Sequence, residues 1–285
     1  MKSIKICVAA ITAGVVCIAV MLGILSAAIY AENESGNSFI GLMYHQVLKD
    51  ESRAGKYIIT PNELESDLAY LSENGYVSVL PSQLVKIREQ GGRLPEKTVV
   101  ITFDDGYETG LYYVLPLLKK YGMKAVINVV GSYTDEYSRI NEEGKHLSYA
   151  YLTWNEIKKL SDSGYVEIGN HTYDMHSNNG DRNGCARKEN ESDEQYRTVL
   201  YEDVARLSDK LQQVTGKRPV AFAYPFGSLS EGSAEIIGSA GISVFMTCCE
   251  QPCSMNRNGR IVINRYNRES GRSAQQICEE FNNAF

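Results

Sequence analysis

Short apolar runs that suit β-strands alternate with amphipathic stretches that suit helices along most of this 285-residue chain. The first run, 39–45 (FIGLMYH), is followed by a predicted helix that begins with Thr60 as N-cap and Pro61 at the first helical position. The same order recurs through YVSVL, TVVITF, KAVINVV, YVEIGNH, PVAFAYPFG and RIVINRY. Strands separated by helices pair in parallel, so roughly eight strands over about 250 residues predict an α/β barrel.

The first 31 residues differ in composition from the rest of the chain. Lys2 and Lys5 precede an apolar run from Ile6 to Ala31, and a membrane-spanning helix needs about 20 such residues. The run predicts a membrane anchor, or a signal peptide if it is cleaved near its end, and both outcomes place the remainder outside the cytoplasm. Residues 32–38 then read as a polar linker, and residues 39–285 as one catalytic domain.

Charge and cysteine content narrow the classes of partner. The net charge is −6, with Lys and Arg scattered along the chain, so there is no basic patch for nucleic acid. No segment indicates a protein partner. Two of the seven cysteines lie in the apolar segment, which leaves an odd number, so at least one thiol is free or paired between chains.

The stretch ITFDDGY (101–107) ends a predicted buried strand on two adjacent carboxylates, Asp104 and Asp105. In a parallel α/β barrel the carboxyl ends of the strands form the active face. Adjacent carboxylates repel each other unless a cation or a proton separates their roles, and successive residues point in different directions. One would hold a metal while the other takes a proton; the alternative is an Asp that caps the next helix beside a solvated neighbour.

Three of the four histidines are also predicted at strand ends. His45 ends the first strand, His171 and His176 follow YVEIGN, and His146 lies in 132–150, which is predicted to be a polar excursion on one rim. One carboxylate and two imidazoles suit a divalent metal and leave a coordination position open. Positions five apart on a regular helix lie about 140° from each other, so His171 and His176 share a metal only in a loop or irregular turn.

TFDDGY, followed later by a strand ending in NHTYDMH (170–176), resembles the two leading motifs of the polysaccharide deacetylases, the NodB-homology carbohydrate esterases. The five-residue histidine spacing is similar to the branch that acts on poly-N-acetylglucosamine. The resemblance covers about 41–268 and implies a distorted (β/α) barrel of the NodB type with a divalent metal, zinc first and cobalt, nickel or manganese as alternatives. It implies Asp104 as general base and Asp105, His171 and His176 as metal ligands, with Asp174 as the competing ligand.

The third motif of this family is altered here. FAYPFG (222–227) stands where many members read Phe-Arg-Pro-Pro-Tyr-Gly, so Ala223 replaces the arginine that steadies the base. The resemblance implies that the backbone N–H of Phe226 donates to the oxyanion. RIVINRYNR lacks the histidine that commonly serves as general acid. Either Asp104 acting twice or His45 must then return the proton, and Asp104 is preferred.

Supporting or substrate-binding roles fall to His45, Thr172, Tyr224 and Arg265. Thr172 is expected to hold its loop through a hydroxyl hydrogen bond or to be solvated. Arg265 ends a strand and either orients a carboxylate or sugar or remains an exposed charge. Stacking on sugar rings is expected from four aromatic residues: Tyr44, Tyr107, Tyr173 and Trp154.

The predicted activity is metal-dependent removal of N-acetyl groups from N-acetylglucosamine residues of a cell-surface polysaccharide, either poly-N-acetylglucosamine or peptidoglycan. Two alternatives remain open. A catalytically silent carbohydrate-binding module fits the loss of the arginine and of the acid histidine. An O-acetyl esterase acting on xylan-type polysaccharide would use the same metal chemistry on a different acyl bond.

Overall fold

The computed structural model describes residues 38–140, 146–180, 182–255 and 259–283. The predicted anchor or signal segment, 1–31, and all but the last residue of the linker lie outside these residues. Within the described ranges, no helix has the length and apolar character needed to cross a membrane.

The strands are short and mostly buried. They are β1 (Ser38–Tyr44), β2 (Gln46–Val47), β3 (Ile58–Ile59), β4 (Val77–Ser78), β5 (Thr98–Phe103), β6 (Ala125–Val129), β7 (Val166–Asn170), β8 (Ala221–Ala223), β9 (Val244–Met246), β10 (Cys253–Ser254), β11 (Ile261–Ile263) and β12 (Arg265–Asn267).

Helices connect most of these strands. They are α1 (Pro61–Glu73), α2 (Pro81–Glu89), α3 (Leu115–Tyr121), which follows a π-helical turn at Gly110–Val114, α4 (Gly131–Tyr137), α5 (Trp154–Asp162), α6 (Asp193–Thr215), α7 (Ser233–Ser239) and α8 (Ala274–Asn283).

The main sheet curls into a nearly closed barrel. Strands β1, β5, β6, β7, β8 and β9 lie side by side in this order and pair in parallel. Strand β11 pairs with β9, whereas β12 pairs with β1, and only Asn264 separates β11 from β12. This segment therefore bridges the two edges of the sheet, and the predicted α/β barrel is confirmed. Strand β10 is antiparallel to β1, and β2 and β3 form a separate small sheet.

Local sequence signals set the predicted helix ends. The Thr60 hydroxyl accepts from the Glu63 N–H while the Glu63 carboxylate accepts from the Thr60 N–H, and Thr153 and Glu156 repeat this capping box. Each such cap stabilises its helix by about 1 kcal/mol. Helix α1 ends just before Gly75, which adopts the left-handed conformation (φ 74°) that glycine tolerates.

Two predicted elements differ in the structure. The segment 132–150, expected to be a polar excursion, opens with helix α4. Tyr133 and Tyr137, one helical turn apart, both pack on the ring of Tyr151. These tertiary aromatic contacts stabilise a helix that the polar composition of the segment does not predict. The predicted strand YVSVL shrinks to β4, which pairs with only the first residues of β5.

Apolar packing fixes the barrel against its helices. Leu64, Leu68 and Leu71 of α1 are fully buried in a cluster with Leu118 of α3 and Ile157 of α5. Their spacing is the helical pattern read from the sequence. With the helices packed outside, the carboxyl ends of the parallel strands share one rim, where the site is built.

Candidate active site

The two carboxylates after β5 occupy different surroundings. The Asp104 N–H still donates to the Tyr44 carbonyl, which continues the pairing with β1. The next two residues, Asp105 and Gly106, turn sharply with φ of 73° each. A non-glycine residue in this region is uncommon and marks a strained position. The turn sends the Asp105 carboxylate toward two histidines, while Asp104 meets an arginine and an asparagine.

Asp105 lies with the two predicted histidine ligands. Its Oδ1 is 3.5 Å from Nε2 of His171 and 3.1 Å from Nε2 of His176. The ligand atoms of the three residues all lie within 4.8 Å of one another. Burial opposes ionisation of Asp105, but hydrogen bonds from the two imidazoles hold its pKa well below the usual range.

The segment 171–176 is a loop, so the five-residue spacing lets both imidazoles converge. Two hydrogen bonds of the Thr172 backbone hold this loop in place. The Thr172 N–H donates to Asn170 Oδ1, and the Thr172 carbonyl accepts from the Gly131 N–H. Thr172 itself is fully buried at φ 73°, and its hydroxyl has no partner among the described residues. The expected hydroxyl hydrogen bond and the solvated alternative are both wrong, because the left-handed turn buries this side chain.

The histidine rings are oriented by their other nitrogens. His171 Nδ1 lies 2.8 Å from the Ala223 carbonyl, an acceptor, so Nδ1 carries a proton. The doubly protonated ring can then also donate from Nε2 to Asp105, while the neutral ring leaves the Nε2 lone pair free for a cation. Tyr133 places its hydroxyl 3.3 Å from His176 Nδ1. One carboxylate and two oriented imidazoles form a donor set that fits a divalent cation such as zinc. Asp174 is exposed and outside this cluster.

Asp104 is held by two donors. Nη1 of Arg265 and Nδ2 of Asn128 each lie 2.7 Å from Asp104 Oδ1. Arg265 is fully buried and contacts the Asp104 carboxylate, as one of its two predicted roles requires. The alternative prediction, an exposed charge, is wrong. It reaches from β12 to Asp104, whereas Ala223, the position at which many family members carry the arginine, belongs to β8. Burial opposes ionisation of Asp104, but the Arg265 and His171 charges hold its pKa below the usual range.

Sequence reasoning missed Asn128. It lies in β6 as a polar residue inside the apolar run KAVINVV, and it is fully buried. Buried polar side chains need a partner. A lone amide in an apolar strand was therefore the available signal.

A cavity of about 620 Å³ is lined by the two carboxylates, Asp104 and Asp105, and by the two clustered histidines, His171 and His176. His45 lines it, and His45 Nδ1 is buried without a partner among the described residues. The Phe226 turn lies at its edge with φ 59° and ψ 12°, and the Phe226 ring packs 4.7 Å from that of His176. Burial lowers the pKa of the His45 imidazole.

The aromatic residues are arranged differently from the expectation. Tyr44 is fully buried with its hydroxyl on Asp67, so it offers no sugar-stacking surface. Tyr224, which directly follows β8, is also buried in the cavity wall, where its ring packs on Phe222 and Phe245. Tyr107 does line the cavity, and the half-exposed rings at its rim are those of Phe226 and Tyr57. Tyr57 was not recognised from the sequence.

Known proteins are similar to this chain in both sequence and fold. The poly-β-1,6-N-acetyl-D-glucosamine N-deacetylase of Escherichia coli K12 is 27% identical over 231 residues, which are 74% of this chain and 34% of that relative. The chain thus spans about a third of the length of this curated relative. Among solved structures, a de-N-acetylase from Aggregatibacter actinomycetemcomitans superposes with a TM-score of 0.73 at 26% identity, covering 85% of this chain and 99% of that one. IcaB from Ammonifex degensii gives 0.68 at 26% identity, covering 86% and 97%.

The family profile named polysaccharide deacetylase matches residues 91–245. This segment is more than half of the 285 residues. It contains both carboxylates, both clustered histidines and the Phe226 turn. The chain therefore belongs to the polysaccharide deacetylase family.

Proposed function

We propose that this protein removes N-acetyl groups from N-acetylglucosamine residues of a polysaccharide, with poly-N-acetylglucosamine preferred over peptidoglycan. The observation that carries the proposal is that two adjacent carboxylates in one cavity have different partners. Asp104 pairs with Arg265, while Asp105 faces two imidazoles. Relatives named as N-deacetylases of poly-β-1,6-N-acetylglucosamine support the substrate class. The acidic net charge of −6 gives no reason to expect an anionic polymer.

Asp105, His171 and His176 would hold the divalent metal. When bound, such a metal supplies Lewis acidity toward the acetyl carbonyl and lowers the pKa of a water molecule. The protein contributes the orientation of the ligands: the Ala223 carbonyl fixes the tautomer of His171, and Tyr133 contacts His176.

Asp104 would act as general base. Its carboxylate lines the cavity, and its charge is compensated by Arg265; both side chains are almost wholly buried. As water attacks the acetyl carbonyl, Asp104 accepts the proton that the water loses. The carbonyl oxygen becomes negatively charged, and the Phe226 N–H would donate to it. The left-handed backbone of Phe226 defines the turn that carries this donor.

The leaving amine needs a proton, and the cavity offers two sources. The sequence favours Asp104 acting twice. Arg265 and Asn128 engage only Oδ1 of Asp104, which leaves Oδ2 to take up a proton and return it, and His45 Nδ1 also has no partner among the described residues. We keep Asp104 acting twice as the proposal, with His45 as the alternative donor. The test is His45→Gln, which replaces the imidazole with an amide of similar reach: a fall in kcat of about 100-fold or more, within the range for general acids, would assign the role to His45, and unchanged turnover would leave it with Asp104.

The decisive experiment measures acetate release from an N-acetylglucosamine oligomer. The purified protein is stripped of metal, supplied with zinc or cobalt, and compared with Asp104→Asn. Metal-dependent release that is lost in Asp104→Asn supports the proposed reaction and base together. Sugar binding without acetate release would support a silent binding module, and release from acetylated xylan but not from amide substrates would support an O-acetyl esterase.

The site of action is a separate part of the proposal. The apolar run before Glu32 supports export of the domain, where a cell-surface polymer would be accessible. Fractionation of cells that express the whole chain, followed by protease treatment of intact cells, tests this. Protection of the catalytic domain from the protease would exclude an extracytoplasmic location.

A further inference from the structure

We propose, on the basis of the proposed function, that Asn128 is a positioning residue for the reaction. Its amide fixes the carboxylate of Asp104 in one orientation, so that Oδ2 is the oxygen that accepts the proton. Asn128 itself does not touch the reacting atoms.

The two donors to Asp104 come from opposite sides of β5. Asn128 belongs to β6, which pairs with β5 on one side, and Arg265 belongs to β12, which lies beyond β1 on the other. Both donate to Oδ1 at 2.7 Å. A single donor would leave the carboxylate free to rotate about its Cβ–Cγ bond. Two donors that converge on one oxygen restrict this rotation and leave Oδ2 for the water.

The arrangement is unfavourable for stability alone. Asn128 is fully buried, and its own Oδ1 has no partner among the described residues. A buried acceptor without a partner costs about 1–3 kcal/mol, so an apolar residue would suit this strand position better. Local rules of this kind are broken mainly at functional sites.

The neighbouring strand is shaped to admit the amide. Gly169 pairs with Asn128 across β6 and β7, and a Cβ at Gly169 would lie only 2.0 Å from Asn128 Oδ1. The second contact of Nδ2 is with Met246 Sδ at 3.4 Å, which is a weak acceptor. Of the two acceptors that Asn128 Nδ2 contacts, the carboxylate of Asp104 is therefore the stronger one.

The test compares Asn128→Ala and Asn128→Leu with the unchanged protein in steady-state acetate release. Thr98→Val serves as control, because it removes another buried polar group, bonded to the Pro95 carbonyl at the opposite end of β5. We expect kcat to fall about 10- to 100-fold in both Asn128 variants, as for other outer partners of a reacting group. KM and metal content should stay within about twofold, and the melting temperature of Asn128→Leu should not fall.

Crystal structures of the unchanged protein and Asn128→Ala provide a readout that does not need activity. The carboxylate of Asp104 should occupy one orientation in the former and a rotated or split orientation in the latter. If the unchanged protein releases no acetate, the proposed function fails, while the crystallographic comparison still decides the role of Asn128. Unaltered kcat, or an Asp104 carboxylate in the same place in both structures, would overturn the assignment.

Discussion

Nη1 of Arg265 lies 2.7 Å from Oδ1 of Asp104, where the two side chains are 0% and 3% exposed. The arginine also donates from Nε to the Thr247 carbonyl and from Nη1 to the Thr102 hydroxyl. Asp104, the proposed base, is thus paired with a cation from the last strand of the barrel. Family members with arginine in the third motif would supply it from the position of Ala223.

Replacing Arg265 with Met should impair both stability and turnover. Removing one partner of a buried ion pair leaves an uncompensated charge, which costs about 3–5 kcal/mol. We expect the free energy of unfolding in urea to fall by this order and acetate release to be lost. Arg265→Lys keeps the charge but not the planar guanidinium. Its stability and turnover should therefore lie between those of the unchanged protein and those of Arg265→Met. Wild-type stability and turnover in Arg265→Met would contradict the pairing.

His176 and Asp174 should behave differently as metal ligands. His176 Nε2 lies 3.1 Å from Asp105 Oδ1, while the exposed Asp174 lies outside the cluster. His176→Ala should therefore lower the zinc affinity measured by calorimetry by about 100-fold or more, since one of three protein ligands is lost. Asp174→Ala should bind zinc as the unchanged protein does. The reverse pattern would make Asp174 the ligand.

Asp67 should matter for stability. It accepts from Tyr44 Oη, from Arg268 Nε at 2.7 Å and from the N–H of Ala274 at the start of α8. Asp67→Asn leaves the buried Arg268 with Glu63, 3.5 Å from its Nη1, as the remaining carboxylate, so the free energy of unfolding should fall by up to about 3–5 kcal/mol.

The matched control for Asp67 is Glu65→Gln in the same helix. Glu65 pairs with Lys120 on the exposed surface. Exposed pairs of this kind contribute little to stability because solvent screens them, so this variant should unfold almost as the unchanged protein does. Equal losses in the two variants would show that burial of the Asp67 pair is unimportant.

The pH dependence of stability should reveal Asp203. Burial raises the pKa of this carboxyl to about 6 in the folded protein, although the N–H groups of Tyr173 and Asp174 donate to it. Between its unfolded pKa, about 3.9, and about 6, the folded state then binds more protons than the unfolded state, so stability falls as pH rises.

Urea unfolding of the unchanged protein and of Asp203→Asn at several pH values isolates this contribution. The difference in unfolding free energy should be largest below about pH 4, decline through pH 6 and level off above about pH 7. A difference that stays constant from pH 4 to pH 7 would mean that the folded and unfolded pKa values of Asp203 are equal.

Local sequence was sufficient for most of the elements and for the rim at which the candidate site residues lie. The N-cap at Thr60 and the strand–helix alternation each depend on a few neighbouring residues, and each appears in the structure where it was predicted. The set of Asp105, His171 and His176 was implied by the family resemblance, and these residues come together because parallel strands bring their carboxyl ends to one rim.

Only the tertiary structure decided how Asp104 is held. Arg265 and Asp104 are 161 positions apart, and they meet because β11 pairs with β9 while β12, one residue further on, pairs with β1. Nothing in the residues around Arg265 encodes that contact. The same is true of Asn128, whose amide reaches Asp104 across the sheet, and of Thr172, whose hydroxyl is buried by its turn. The sequence by itself determined which residues can carry the reaction. The closure of the barrel determined which of them touch, because hydrogen bonds between side chains depend on distances that only the packed sheet sets.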